Sequence, residues 1–108
     1  MVKKTTTTKK KQRSSDASSE SEALLRAILS LRHMGEARRF FRDLLTDDEF
    51  DMLGRRWKVV SMLANGDSYR QIEEATQMSS RTVARIAKWL KEGPGGYRII
   101  LERSKSRD

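Results

Sequence analysis

Arg81, Arg85 and Lys88 are spaced four and three residues apart, which on a helix places three cations on one face, and no acidic residue follows them before Glu92. Ser80, Thr82 and Ala84 lie between, short side chains that let a bulky polyanion approach the backbone. Arginine can pair with guanine through two parallel hydrogen bonds, while serine, threonine and lysine contact base edges or phosphates. The pattern therefore suits a nucleic-acid duplex. A charged helix face is also the ordinary solvated side of an amphipathic helix, so its meaning depends on what holds it in place.

The opposite side of the same segment carries Val83, Ile86, Ala87 and Leu90 at i, i+3, i+4 and i+7, an unbroken inner stripe. Just upstream, Ser68 is placed to cap a short helix with Ile72 and Ala75 inward, Met78 plugs a tight link, and Ser79 or Ser80 caps the next helix. A short capped helix, an apolar link and a helix with a cationic outer face, over about 68–91, form a helix-turn-helix. Such a motif places the N-terminal part of its second helix in the major groove. Ser80, Arg81, Thr82 and Arg85 are the candidates for base edges, with Ser79 beside them. Lys88, Arg70, Gln71 and Ser68 are the candidates for flanking phosphates.

Three more helices are expected before this motif. Ser19 and Glu22 form an S-x-x-E capping box ahead of Leu24, Leu25, Ile28, Leu29 and Leu31. A second helix over 36–45 places Ala37, Phe40, Phe41 and Leu44 on one side and Arg38, Arg39 and Arg42 on the other. Thr46-Asp47-Asp48-Glu49 then reads as a threonine cap with Glu49 returning the bond and carboxylates at the positive end of the helix dipole. The third helix carries Phe50, Leu53, Trp57, Val60 and Leu63 or Ala64 as its stripe and ends at Asn65-Gly66, where glycine can turn left-handed. No segment alternates with period two, so the expected class is all-α.

Charge and composition narrow the function. The chain has 108 residues, no cysteine, one histidine and a net charge of +8, which excludes disulfide scaffolds, thiolate nucleophiles and cysteine-ligated metals. Residues 1–18 are Lys, Thr and Ser with little to bury, and read as a disordered basic arm, either a solvated tail or a source of extra phosphate contacts. Between residues 79 and 98, five basic residues face one acid, Glu92, so the reading segment is basic in its own right. No apolar run is long enough for a membrane span and no apolar stretch marks a secretory signal, so the cytoplasm is the expected location. His33 has no partner at ligand spacing and reads as a cap or surface residue; Asp47, Asp48, Glu49 and Asp51 lack calcium-loop spacing; no phosphate-cradling loop is present. Neither an enzyme nor a metal protein is expected. Trp89 could stack on a base, though partial core burial is the expected use.

Leu45-Thr46-x-Asp48-Glu49-x-x-x-Leu53-Gly54-x-Arg56, then Val60, Leu63, Gly66, Ser68 and Arg70, then Thr82-Val83-x-Arg85, together resemble the tryptophan repressor family over roughly residues 20–92. The Gly93-Pro94-Gly95-Gly96-Tyr97 ending is closer to a less characterised, Trp-repressor-like branch. The resemblance implies an intertwined all-helical homodimer, two reading heads in successive major grooves, and transcriptional regulation. It also implies an effector site: the residues matching the tryptophan-binding arginines are Arg56 and Arg85, and Thr46 matches a further pocket residue. Where the repressor has glycine after its second arginine this chain has Ile86, so the pocket is expected to be filled by the protein's own side chain, with no cofactor required.

A homodimer is also expected from composition. The first three helices present more apolar face, from Leu24 to Met62, than about 80 ordered residues bury alone. The organisation is thus an arm (1–18), a helical DNA-binding and dimerisation domain (19–101) whose Ile99-Ile100-Leu101 trio docks on the body or on the partner subunit, and a mobile tail (102–108). The leading expectation is a sequence-specific regulator of double-stranded DNA. The alternatives are a scaffold module that docks an acidic partner, and an architectural DNA binder driven by the arm.

Overall fold

The computed structural model describes the backbone of residues 9–107 and the side chains of residues 19–105. Its described residues form helices α1 (Lys9–Leu29), α2 (Met34–Leu44), α3 (Asp47–Ala64), α4 (Tyr69–Thr76), α5 (Ser80–Glu92) and α6 (Gly96–Arg107), with no strand. The all-α expectation is met. The chain divides into two compact units, Met1–Leu44 and Leu45–Asp108.

In the first unit α1 begins at Lys9, well before the capping box expected at Ser19. Ser19 lies inside the helix and caps nothing. Neither proline nor glycine interrupts residues 9–19, and lysine, glutamine, arginine and alanine cost little in a helix, so the turns beneath Leu24–Leu29 extend backwards. The arm expected over 1–18 is therefore helical over 9–18, while 1–8 lie outside the described residues. His33 does act as a cap, at the start of α2: its Nδ1 accepts from the Glu36 amide at 3.4 Å, and the Glu36 carboxylate accepts from the Arg32 amide at 2.9 Å. Phe40 and Phe41 meet edge to face at 5.3 Å. No residue of α2 is fully buried, and Leu29 and Met34 stand 83% and 71% exposed.

The second unit holds the core. Val59 and Val60 of α3, Ile72 of α4, Met78 of the link, and Val83 and Ile86 of α5 are buried together, flanked by half-buried Met62, Leu63, Leu90, Tyr97 and Leu101. The α3 stripe differs from expectation in its first half. Leu53 and Trp57 are exposed, and Val59 takes a central place. Ala75 is exposed too, and Thr76 is buried in its stead. Burial of the threonine is tolerated because its hydroxyl donates to the Ile72 carbonyl at 2.7 Å and accepts from the Met78 amide at 3.3 Å.

The helix ends follow the sequence closely. Thr46 and Glu49 close a full capping box on α3. At its far end the Gly66 amide reaches the Leu63 carbonyl and the Asp67 amide reaches Met62, with Gly66 at φ +86°, the paired bonds of a Schellman stop. Ser68 and Gln71 form a second capping box on α4. α6 was not expected as a helix: it lacks a capping side chain, and its sequence reads as a docking trio with a mobile tail. It runs to Arg107, so the tail expected over 102–108 is helical through 107; Asp108 lies outside the described residues.

Candidate nucleic-acid interface

The geometry of the interface begins at Gln77, which sits at φ 60°, a left-handed conformation that side chains other than glycine rarely adopt. Its amide bonds to the Glu73 carbonyl and its side-chain amide donates to the Glu74 carbonyl at 2.9 Å, so α4 ends there and the chain turns abruptly. Met78 drops into the core and Ser79 caps α5, accepting from the Thr82 amide at 3.2 Å. The sequence left Ser79 and Ser80 as rival caps; Ser79 is the cap and Ser80 is exposed.

α5 is pinned along its rear by Val83 and Ile86, the former fully buried and the latter 7% exposed. Burial of side chains of this size contributes about 1.5–3 kcal/mol each, which fixes the rotation of the helix about its axis. The front face is fixed with it. Arg81, Arg85 and Lys88 are exposed, and among the described residues none of the three makes an ion pair or a side-chain hydrogen bond. Ser80 and Ala84 are exposed beside them.

The other candidates are more constrained. Arg70 lies 3.7 Å from Glu74, an exposed pair of little strength. Ser68 and Gln71 spend their oxygens on the capping box, each accepting from the other's backbone amide. Ser79 and Thr82 share a hydroxyl contact at 3.1 Å. Of the nine DNA-contact candidates, Ser80, Arg81, Arg85 and Lys88 thus remain free to meet a partner, Arg70 is held only by its exposed pair with Glu74, and Ser68, Gln71, Ser79 and Thr82 serve the helix caps.

The side of α5 facing α3 borders an open groove of about 620 Å³ whose lining includes Arg55, Arg56, Thr82, Arg85, Ile86 and Trp89. Arg56 and Arg85, the two arginines picked out by the resemblance, both line this groove. Thr46 is not on its wall; its hydroxyl is engaged in the α3 cap. Trp89 is 57% exposed rather than in the core, because it falls outside the narrow inner stripe and its indole lies over Gly93. A Cβ at Gly93 would come within 2.5 Å of the Trp89 carbonyl oxygen, so glycine is required at this close approach.

Sequence reasoning missed two parts of the site. Arg98 of α6 donates to the Leu90 carbonyl at 3.1 Å and also to the Lys91 carbonyl, closing the C-terminal end of α5. Arg55 is held at 2.7 Å by Asp51; the i, i+4 spacing was the available signal. Among the described residues no three histidine or carboxylate side chains converge on a possible metal position.

The model of the family described as "Trp repressor protein" matches residues 19–105. The chain belongs to the Trp repressor family. Within that family it is 38% identical over 86 residues to the Bacillus subtilis protein YerC, covering 80% of this chain and 83% of YerC. A TrpR-like protein from Eubacterium eligens superposes with a TM-score of 0.74 at 38% identity, over 78% of this chain and 87% of that one. A Trp-repressor candidate from Staphylococcus aureus superposes at 0.76 with 33% identity, over 81% and 87%. The Trp repressor family is one of DNA-binding regulators rather than enzymes. No helix among the described residues is long and apolar enough to cross a membrane.

Proposed function

We propose that this chain is a sequence-specific, DNA-binding transcriptional regulator acting as a cytoplasmic homodimer, with α5 in the major groove of double-stranded DNA. The observation that carries the reading is the contrast between the two sides of α5: a rear face fixed by Val83 and Ile86, and a front face on which Arg81, Arg85 and Lys88 are unpaired. Arg81, Arg85, Ser80 and Thr82 approach base edges, with Ser79 at the start of the helix. Lys88, Arg70, Gln71 and Ser68 face phosphates, and the lysine-rich residues 1–18 add salt-sensitive affinity.

A pair of subunits presents two such helices about one helical turn apart, and two weak half-site contacts then combine through high effective concentration. The exposed Leu29 and Met34 supply apolar surface for the partner copy to cover.

Selection of bound sites from random duplex DNA tests the proposal. A two-fold-related motif should emerge, and light scattering should report a dimer. Replacing Arg81 or Arg85 with alanine should cost about 1–3 kcal/mol of binding and relax selectivity at one position of the motif. Diffuse binding without any enriched motif, lost at moderate salt, would instead identify a scaffold for acidic partners. Binding abolished by deletion of residues 1–18 would identify an arm-driven architectural protein.

A further inference from the structure

The two units share the charge unevenly. Residues 1–44 hold eleven basic and five acidic side chains, a net +6 of the chain's +8, although the reading helix α5 lies in the other unit. Arg38, Arg39 and Arg42 of α2 belong to this excess. All three are exposed, and among the described residues none makes an ion pair or a side-chain hydrogen bond. At 3.6 residues per turn they fall within an arc of about 100°, and Gly35, between them, adds no side chain. Ala37, Phe40, Phe41 and Leu44 take the opposite side of the helix, so whatever covers the apolar face leaves the arginines outward.

The neighbouring acids do not cancel this stripe. Glu36 accepts from the Arg32 amide at 2.9 Å and lies 3.7 Å from the His33 ring nitrogen. Asp43 stands at one edge, four residues after Arg39, without an ion pair to it.

What the stripe lacks decides its partner. Protein interfaces are built around an apolar or aromatic centre, with charges kept to the rim. No apolar side chain lies between Arg38 and Arg39 in the arc, and only Met34 borders it. Contacts to a sugar-phosphate backbone need cations alone, and the arginine fork fits phosphate oxygens in pairs.

Resting on the regulator reading above, we infer that the α2 arginine stripe is a second DNA-binding surface, which grips the phosphate backbone of duplex DNA outside the motif met by α5 and reads no sequence.

The test uses the full chain, its Arg38→Gln/Arg39→Gln/Arg42→Gln variant and its Arg38→Lys/Arg39→Lys/Arg42→Lys variant, with thermal melts confirming that each is folded. Binding is measured on the selected motif alone and on the motif extended at both sides with unrelated sequence. Either the parent binds the extended duplex more tightly, which puts the backbone on the same molecule, or the motif-bound parent captures a second, labelled duplex, which puts it on another. The glutamine variant should lose whichever gain is seen. Between roughly 50 and 200 mM salt its affinity for that DNA should fall about ten- to fortyfold less than the parent's, the signature of two or three phosphate contacts fewer. The lysine variant should keep the parental salt dependence, and all three proteins should select the same motif. An unchanged salt dependence in the glutamine variant, or failure of lysine to restore it, would overturn this inference and leave the regulator reading intact. If the parent selects no motif, yet its binding to unrelated duplex still weakens in the glutamine variant, the regulator reading falls and the DNA contact of the stripe stands.

Discussion

Residues 45–108 and residues 9–44 of this chain are both strings of amphipathic helices, yet only one of them buries side chains completely. Every described residue that is fully buried lies between Val59 and Ile86, whereas α2 buries none and Leu29 is almost wholly exposed. Periodicity alone would not separate the two, since Ala37, Phe40, Phe41 and Leu44 repeat as regularly as Val83, Ile86, Ala87 and Leu90. An apolar stripe indicates that a helix must be covered, and does not say by what. In the second unit the cover comes from the same chain. In the first, α2 buries no residue fully, and a second copy of the chain as its cover is the proposal made above.

The sharpest way to break this contrast is to enlarge it. Ile72→Ala removes a fully buried side chain and should destabilise the protein by about 2–4 kcal/mol, measured by urea unfolding. Next in size is Gly93→Ala, whose methyl group would collide with the Trp89 carbonyl; a loss of about 1–3 kcal/mol in a thermal melt is expected. Thr46→Ala deletes one half of the α3 capping box and should cost about 1 kcal/mol, with the loss of helicity concentrated at Asp47–Phe50. The smallest effect is the most informative. In dilute protein Leu29→Ala should change stability by no more than about 0.5 kcal/mol, the value for an exposed position. If a second copy covers Leu29, the deficit should grow with protein concentration as the parent gains stability from association. A deficit independent of concentration would mean that the chain covers its own first unit.

The sequence made the helix-turn-helix legible because its signals are local. Thr46 with Glu49, Ser68 with Gln71, and Gly66 each settle one helix end through bonds reaching only a few residues. The cationic face of α5 was equally readable, as it follows from spacing. What escaped depended on contacts between distant residues or on the absence of a stop. α6 carries no capping residue and was read as a docking trio, Ile99-Ile100-Leu101, followed by a tail over 102–108. α1 continued to Lys9 because nothing halted it. Thr76 is buried through hydrogen bonds that a hydropathy pattern cannot register, which displaced Ala75 from the place assigned to it. Trp89 was expected to be partly buried in the core, although its position on α5 lies outside the inner stripe and it is 57% exposed.

The guanidinium of Arg98 belongs to α6 but grips the last carbonyls of α5. The final turn of α5 therefore cannot unwind without breaking these bonds to α6. A disturbance arriving at either segment is felt by both, and amide exchange rates in the two should rise and fall together. In so small a body, that single side chain ties two neighbouring rods together at one end.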